Sequence, residues 1–262
     1  MKFFRLAILV TLGTLTLIPA FATPITYNFL TGPGTSGNFF GNNLTYTMNG
    51  LTLVATAWGV TGPPSDTTFQ NAELMAWPNV NPSFAYGLGV CDRSEGTNCP
   101  IFGYDPAQVD NVGAYDFVMF QFSSTVGLSS ITINPDSIYD DGRDVSYSIC
   151  NGVNPSDLTG HSAGGVCGPL TTINNSAGMS ALTISLIGTG NTLLFGAADP
   201  VSRTCTYEGD SCDGFKIDNL TVTSDTTTPE PASWVSPDWA LFGDQKSRKL
   251  AVAMKVGDGI AK

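Results

Sequence analysis

The stretch TYTMNGLTLVATAW, residues 45–58, narrows the fold more than any other part of the chain. Two runs of alternating side chains meet at Asn49-Gly50, a pair that tolerates positive φ at both central positions of a tight turn. This predicts a β-hairpin. The chain offers many more segments of the same kind. Further strand candidates are ITYNFL (25–30), AELMAW (72–77), YDFVMFQF (115–122), GLSSITIN (127–134), DVSYSIC (144–150), SALTISLI (180–187), NTLLFGA (191–197) and GFKIDNLTV (214–222). In YDFVMFQF, Tyr115, Phe117, Met119 and Gln121 face one way, and Asp116, Val118, Phe120 and Phe122 the other. Both faces are largely apolar, which places this strand centrally in a sandwich. Between residues 23 and 225 no segment shows sustained helical periodicity or a good capping pattern. Strands spaced by Gly-, Asn-, Asp- and Pro-containing loops predict an all-β fold, a two-sheet β-sandwich of jelly-roll type. The first and last strands, ITYNFL and FKIDNLTV, are then expected to be neighbours.

The two ends differ from this body. MKFFRLAILVTLGTLTLIPAFATP opens with Lys2 and Arg5, continues in an apolar stretch from Leu6 to Ile18, and offers Ala20-Phe21-Ala22 as a small-x-small cleavage site. That stretch is short of the ~20 residues a bilayer requires, so residues 1–22 read as a secretory signal peptide. Cysteine usage agrees with export. Cys91 and Cys99, Cys150 and Cys167, and Cys205 and Cys212 form near pairs around loops rich in small and polar residues. Three local disulfides are expected, each contributing about 2–3 kcal/mol. A zinc site is the weaker reading, because there is no Cys-x-x-Cys and only one histidine.

Charge marks a boundary near residue 235. From Thr23 to Val235, four basic residues (Arg93, Arg143, Arg203 and Lys216) stand against nineteen acidic ones, whereas the remainder holds five basic and three acidic residues. The chain divides into a β-sandwich domain, 23–224, and a linker, motif and tail, 225–262. An acidic body argues against a nucleic-acid partner, which needs clustered Lys and Arg. It suits divalent cations, or simply solubility.

The acidic loops are candidates for calcium, which takes six to eight oxygens. YDDGRD (139–144) packs Asp140, Asp141 and Asp144 around a glycine but lacks EF-hand spacing, and a solvated turn, where Asp and Gly are favoured anyway, is the better reading. QVDNVGAYDF (108–117) and FKIDNLTV (215–222) each place Asp-Asn after an apolar residue beside a strand. The IDN of the latter resembles the terminal strand of jelly-roll carbohydrate-binding modules. That resemblance implies a structural calcium on Asp218, with Asp110 as a second carboxylate. The alternative is that Asp-Asn ends or bulges a strand. Sugar stacking would use exposed aromatics, and Trp58, Trp77, Tyr86, Tyr104, Tyr139 and Tyr207 are available, although core packing explains such residues more often.

One motif misleads. GHSAGG (160–165) matches Gly-x-Ser-x-Gly, with Ser162 at the nucleophile position. The triad base must be a separate histidine, and His161, the only one, is inside the motif itself. No apolar strand precedes it and no helix follows, so it reads as a loop between Cys150 and Cys167, and no catalytic residue is expected.

TPEPASW (228–234) follows a short polar linker. It resembles the PEP-CTERM sorting signal of exported proteins in Gram-negative bacteria, with the match at Pro229, Glu230, Pro231, Ala232, Ser233 and Trp234. In that family a transmembrane helix and terminal arginines follow, and an exosortase-type enzyme is the processing partner. The chain departs from the pattern after Trp234. Its longest apolar run there is LAVAM (250–254), and Asp238, Asp244, Lys246, Arg248 and Lys249 would each cost about 2.5–3.5 kcal/mol in the bilayer. A reading-frame shift after Trp234 would produce this change and predicts an apolar helix in another frame of the same DNA; a divergent tail is the alternative. The resemblance implies an exported, non-enzymatic protein of the periplasm, cell surface or extracellular matrix, associated with exopolysaccharide. A calcium-dependent carbohydrate-binding module is the alternative.

Overall fold

The computed structural model describes residues 22–31, 39–60, 68–77, 87–93, 95, 108–111, 114–135, 142–152, 158, 167–176, 178–197 and 212–224. Through them run β1 (Pro24–Asn28), β2 (Asn43–Met48), β3 (Leu51–Val60), β4 (Phe69–Asn71), β5 (Glu73–Trp77), β6 (Gly87–Cys91), β7 (Val109–Asp110), β8 (Tyr115–Pro135), β9 (Val145–Cys150), β10 (Thr171–Ile173), β11 (Leu182–Ser185), β12 (Thr189–Ala197) and β13 (Gly214–Ser224). The Asn49-Gly50 hairpin joins β2 to β3, with φ of 50° and 79° at its two central residues. The first and last strands among the described residues, β1 and β13, pair as the sequence predicts, from Pro24 opposite Thr223 to Asn28 opposite Asn219.

The sequence predicts two strands at 115–122 and 127–134. The structure has one, β8, because Ser123, Ser124 and Thr125 stay extended and exposed between the two apolar halves. Its first half lies between β3 and β12. Its second half lies between β13 and β11. Strand β8 thus belongs to both halves of one antiparallel sheet that forms the sandwich. Beyond β3 is β2, and beyond β12 are β9 and β10. Along the far side of β13 lie β1, β6 and β7, with β5 outside β6. Strands β4, β6, β7 and β10 are not evident in the sequence, being very short or, in Gly87-Leu88-Gly89-Val90-Cys91, interrupted by glycine.

Alternation along β8 sorts its side chains into two cores. Val118, Phe120 and Phe122 enter the main core with Tyr27, Phe29, Leu53, Leu74, Leu88, Ile133, Phe195 and Ile217. There Phe29 stacks on Phe120 at 5.6 Å and meets Tyr46 edge-on at 5.1 Å. Phe117 and Met119 enter a smaller core with Trp58, Val60, Phe69 and Leu194. Leu158 and Leu170 also belong to this outer core, and Leu158 lies between the disulfide-bonded Cys150 and Cys167, whose Cα atoms are 5.1 Å apart. Cys91 and Cys212 are each in a disulfide as well; Cys99 and Cys205, the partners the sequence predicts for them, lie outside the described residues. Among the described residues, no helix is long and apolar enough to cross a membrane.

Candidate metal centre

Asp116 is the second residue of β8. It follows the register of Val118 and Phe120, so a carboxylate points to the main-core side. It is 0 % exposed, and no side-chain donor reaches either of its oxygens. Its pairing partner across the strand is Gly59 of β3. A Cβ at Gly59 would lie 2.8 Å from the Asp92 Cβ and 3.5 Å from Asp116 Oδ1. Glycine is therefore what allows the Asp92 side chain to close over β3.

Asp92 is the residue after β6 and is 1 % exposed. The turn that follows is held by a reciprocal pair of hydrogen bonds. The Asp92 N–H donates to Glu95 Oε2 at 2.9 Å, and the Glu95 N–H donates to Asp92 Oδ1 at 3.2 Å. This is the bonding pattern of a helix capping box, used here on a loop. Each of Asp92, Glu95 and Asp116 presents a carboxylate oxygen, and these oxygens lie within 4.8 Å of one another. Glu95 is the least buried of the three.

The charges that raise the Asp116 pKa are of one sign. Desolvation raises the Asp116 pKa well above the ordinary carboxylate range, and the charges of Asp92, Asp110 and Glu95 raise it further. The smallest influence, a backbone hydrogen bond from Asp110, acts in the other direction. Arg93, the nearest basic residue in sequence, is directed elsewhere: its Nε donates to the Asn71 carbonyl at 3.2 Å and its guanidinium lies over the Phe40 ring, 4.8 Å from the centroid. Carboxylate oxygens without His or Cys form a donor set for a hard cation rather than zinc or copper.

The two sequence candidates for calcium fall in different places. Asp110, 3 % exposed, is in β7 opposite Gly214 and belongs to the acidic neighbourhood of Asp116. Asp218 lies four residues along β13 from Gly214, roughly 13 Å at strand rise. It occupies a bulge between Ile217 and Asn219, and its carbonyl accepts the Phe29 N–H at 2.9 Å. Asp218 is half-buried; its Oδ1 is out of water and makes no hydrogen bond, and burial pushes the carboxyl from 3.8 up to about 6. The sequence reading passed over Asp92, Glu95 and Asp116. The signals available were an Asp in an otherwise apolar strand face and an Asp-x-x-Glu pattern.

A second group of polar residues is a contrast, because its bonds are made. Asp213, also 0 % exposed, accepts from Asn111 Nδ2 at 2.9 Å through Oδ2 and from the Asp144 N–H at 2.9 Å through Oδ1. Its own N–H donates to Asn111 Oδ1 at 3.0 Å. Asp144 Oδ1 in turn accepts the Asn175 N–H at 2.6 Å, and Arg143 Nε donates to the Ser176 carbonyl at 2.8 Å. This network ties three loops to the start of β13. Asp144, from the acidic YDDGRD loop, is thus a structural group; Asp140 and Asp141 lie outside the described residues.

Of the candidate sugar platforms, Trp58 is buried in the outer core, edge-on to Phe69 at 6.3 Å, and its indole donates to Thr56 Oγ1 at 3.0 Å. Tyr86, Tyr104, Tyr139, Tyr207, the Trp77 side chain, His161, Ser162 and the motif at Pro229–Trp234 lie outside the described residues. The chain matches no protein-family model, no curated protein and no solved structure.

Proposed function

We propose that the chain is an exported, non-enzymatic protein of the cell surface or extracellular matrix, associated with exopolysaccharide and sorted through its PEP-type signal. The observation that carries this reading is the Pro229–Trp234 motif, placed a few residues in sequence after β13 ends at Ser224. The disulfide between Cys150 and Cys167 supports it, since such bonds belong to oxidising compartments outside the cytoplasm. The carboxylates that converge among the described residues are mostly buried, whereas glycoside hydrolysis needs two carboxyl groups flanking an accessible bond.

The test is to express the full chain in a Gram-negative host that makes exopolysaccharide and an exosortase-type enzyme. The protein should begin at Thr23, carry oxidised cysteines and be recovered with the polysaccharide fraction. Replacing Pro229, Glu230 and Pro231 by alanine should reduce that recovery. Protein found in the cytoplasm with Met1 in place and free thiols would overturn the proposal.

A further inference from the structure

We propose that Asp92, Glu95 and Asp116 hold a calcium-sized divalent cation at the edge of the main core, with Asp110 as a nearby fourth carboxylate. The proposal is independent of how the protein is sorted.

Geometry is the first support. Calcium binds oxygen at about 2.3–2.6 Å, so two oxygens on opposite sides of one ion are separated by about 4.6–5.2 Å. The three carboxylate oxygens here, within 4.8 Å of one another, fit around one such ion. The turn from Asp92 to Glu95 is fixed by its two reciprocal hydrogen bonds before any ion arrives. Gly59 leaves the space through which Asp92 approaches Asp116.

Asp116 is the second support. A fully buried carboxylate is normally satisfied by donors or by an opposite charge. Asp213 in the same protein shows what that looks like, with both oxygens accepting hydrogen bonds. Asp116 is equally buried, receives no side-chain donor and only a backbone hydrogen bond from Asp110, and its oxygens point into a cluster of acids. A divalent cation satisfies both its charge and its lone pairs. Glu95, the most exposed of the three, gives the ion its way in. Once bound, the ion cross-links the turn after β6 to β8 and so clamps the edge of the core.

The competing account is that Asp116 is a neutral acid with no ion. The experiment that separates the two uses the full disulfide-bonded chain, stripped with chelator. Calcium is titrated by calorimetry, and melting is followed in calcium, in magnesium and in chelator. One saturable calcium site per chain is expected. At a hundredfold excess of calcium over Kd the folding equilibrium should shift about a hundredfold, with a rise in Tm. Magnesium, which needs shorter bonds of about 2.0–2.1 Å, should give a smaller shift. Asp116→Asn should weaken calcium binding at least about tenfold. It should also melt above the parent protein in chelator and below it in calcium, because it removes both a buried charge and an ion ligand. Glu95→Gln changes a partly exposed group, so it decides the matter if Asp116→Asn does not fold; it too should weaken binding about tenfold. The proposal is overturned by absence of saturable binding, by an equal response to magnesium, or by calcium binding that both variants leave unchanged.

Discussion

Replacing Asp218 by Asn should stabilise the protein at neutral pH and leave it unchanged in acid. Asp218 interrupts the register of β13 as a bulge, and its half-buried carboxyl titrates near 6 in the folded state rather than at 3.8. The folded protein therefore holds this proton more tightly than the unfolded chain does. Stability from the group is fully present below about pH 4 and is lost as pH rises through about 6. Moving from 3.8 to about 6 corresponds to at most about 3 kcal/mol at 1.36 kcal/mol per pH unit. Water at the half-buried group reduces this to about 1–2 kcal/mol. The amide of Asp218→Asn has nearly the same shape as the carboxyl and carries no charge. The variant should therefore unfold at higher urea concentration above pH 6 and converge with the parent near pH 3.5. In melting temperature, the gain at pH 7 is about 2–8 °C for a domain of this size. Urea unfolding of both proteins from pH 3.5 to 8, in chelator, measures it. A difference that stays constant across this range, or a variant less stable at pH 7, would refute the reasoning. Repeating the series in calcium tests the ligand role that the terminal-strand resemblance implies. Loss of the calcium response in Asp218→Asn would restore Asp218 as a ligand; a response equal to the parent's leaves the ion with Asp92, Glu95 and Asp116.

Two further perturbations test the framework around the site. Asp213→Ala would strip the acceptors from the buried Asn111 amide and the Asp144 N–H, costing about 3 kcal/mol by urea unfolding; a loss under about 1 kcal/mol would show that the network holds nothing in place. Removing both Cys150 and Cys167, which are separated by 17 residues, should cost about 3 kcal/mol. Because the loop between them carries Leu158 of the outer core, the same change should shift Trp58 fluorescence to the red, and an unchanged spectrum would count against that role for the loop.

What could be read from the sequence and what could not divide along a physical line. The hairpin was legible because Asn49-Gly50 encodes its own turn. The two faces of β8 were legible because side-chain direction follows from counting by two. The pairing of β1 with β13 follows from closing a sandwich. The candidate site depends instead on which strands pack near one another. Asp92 and Glu95 are more than twenty positions before Asp116, and they meet because β6 ends beside the β3–β8 pair and because residue 59 has no side chain. The two Asp-Asn pairs show the limit of local pattern from the other direction. They look alike in sequence, yet Asn111 is spent on bonding Asp213 at the end of β7, and Asp218 forms the bulge of β13. What they share is a way of ending or bending a strand, and ligation does not follow from it. Asp116 differs because its position already carried a cost visible in the sequence: a carboxylate in register with Val118, Phe120 and Phe122 must enter an apolar core. Such a residue needs a donor, a proton or a cation. The structure supplies three more carboxylates beside it and no side-chain donor to it, and so turns a residue that disturbs the strand pattern into the best marker of a site.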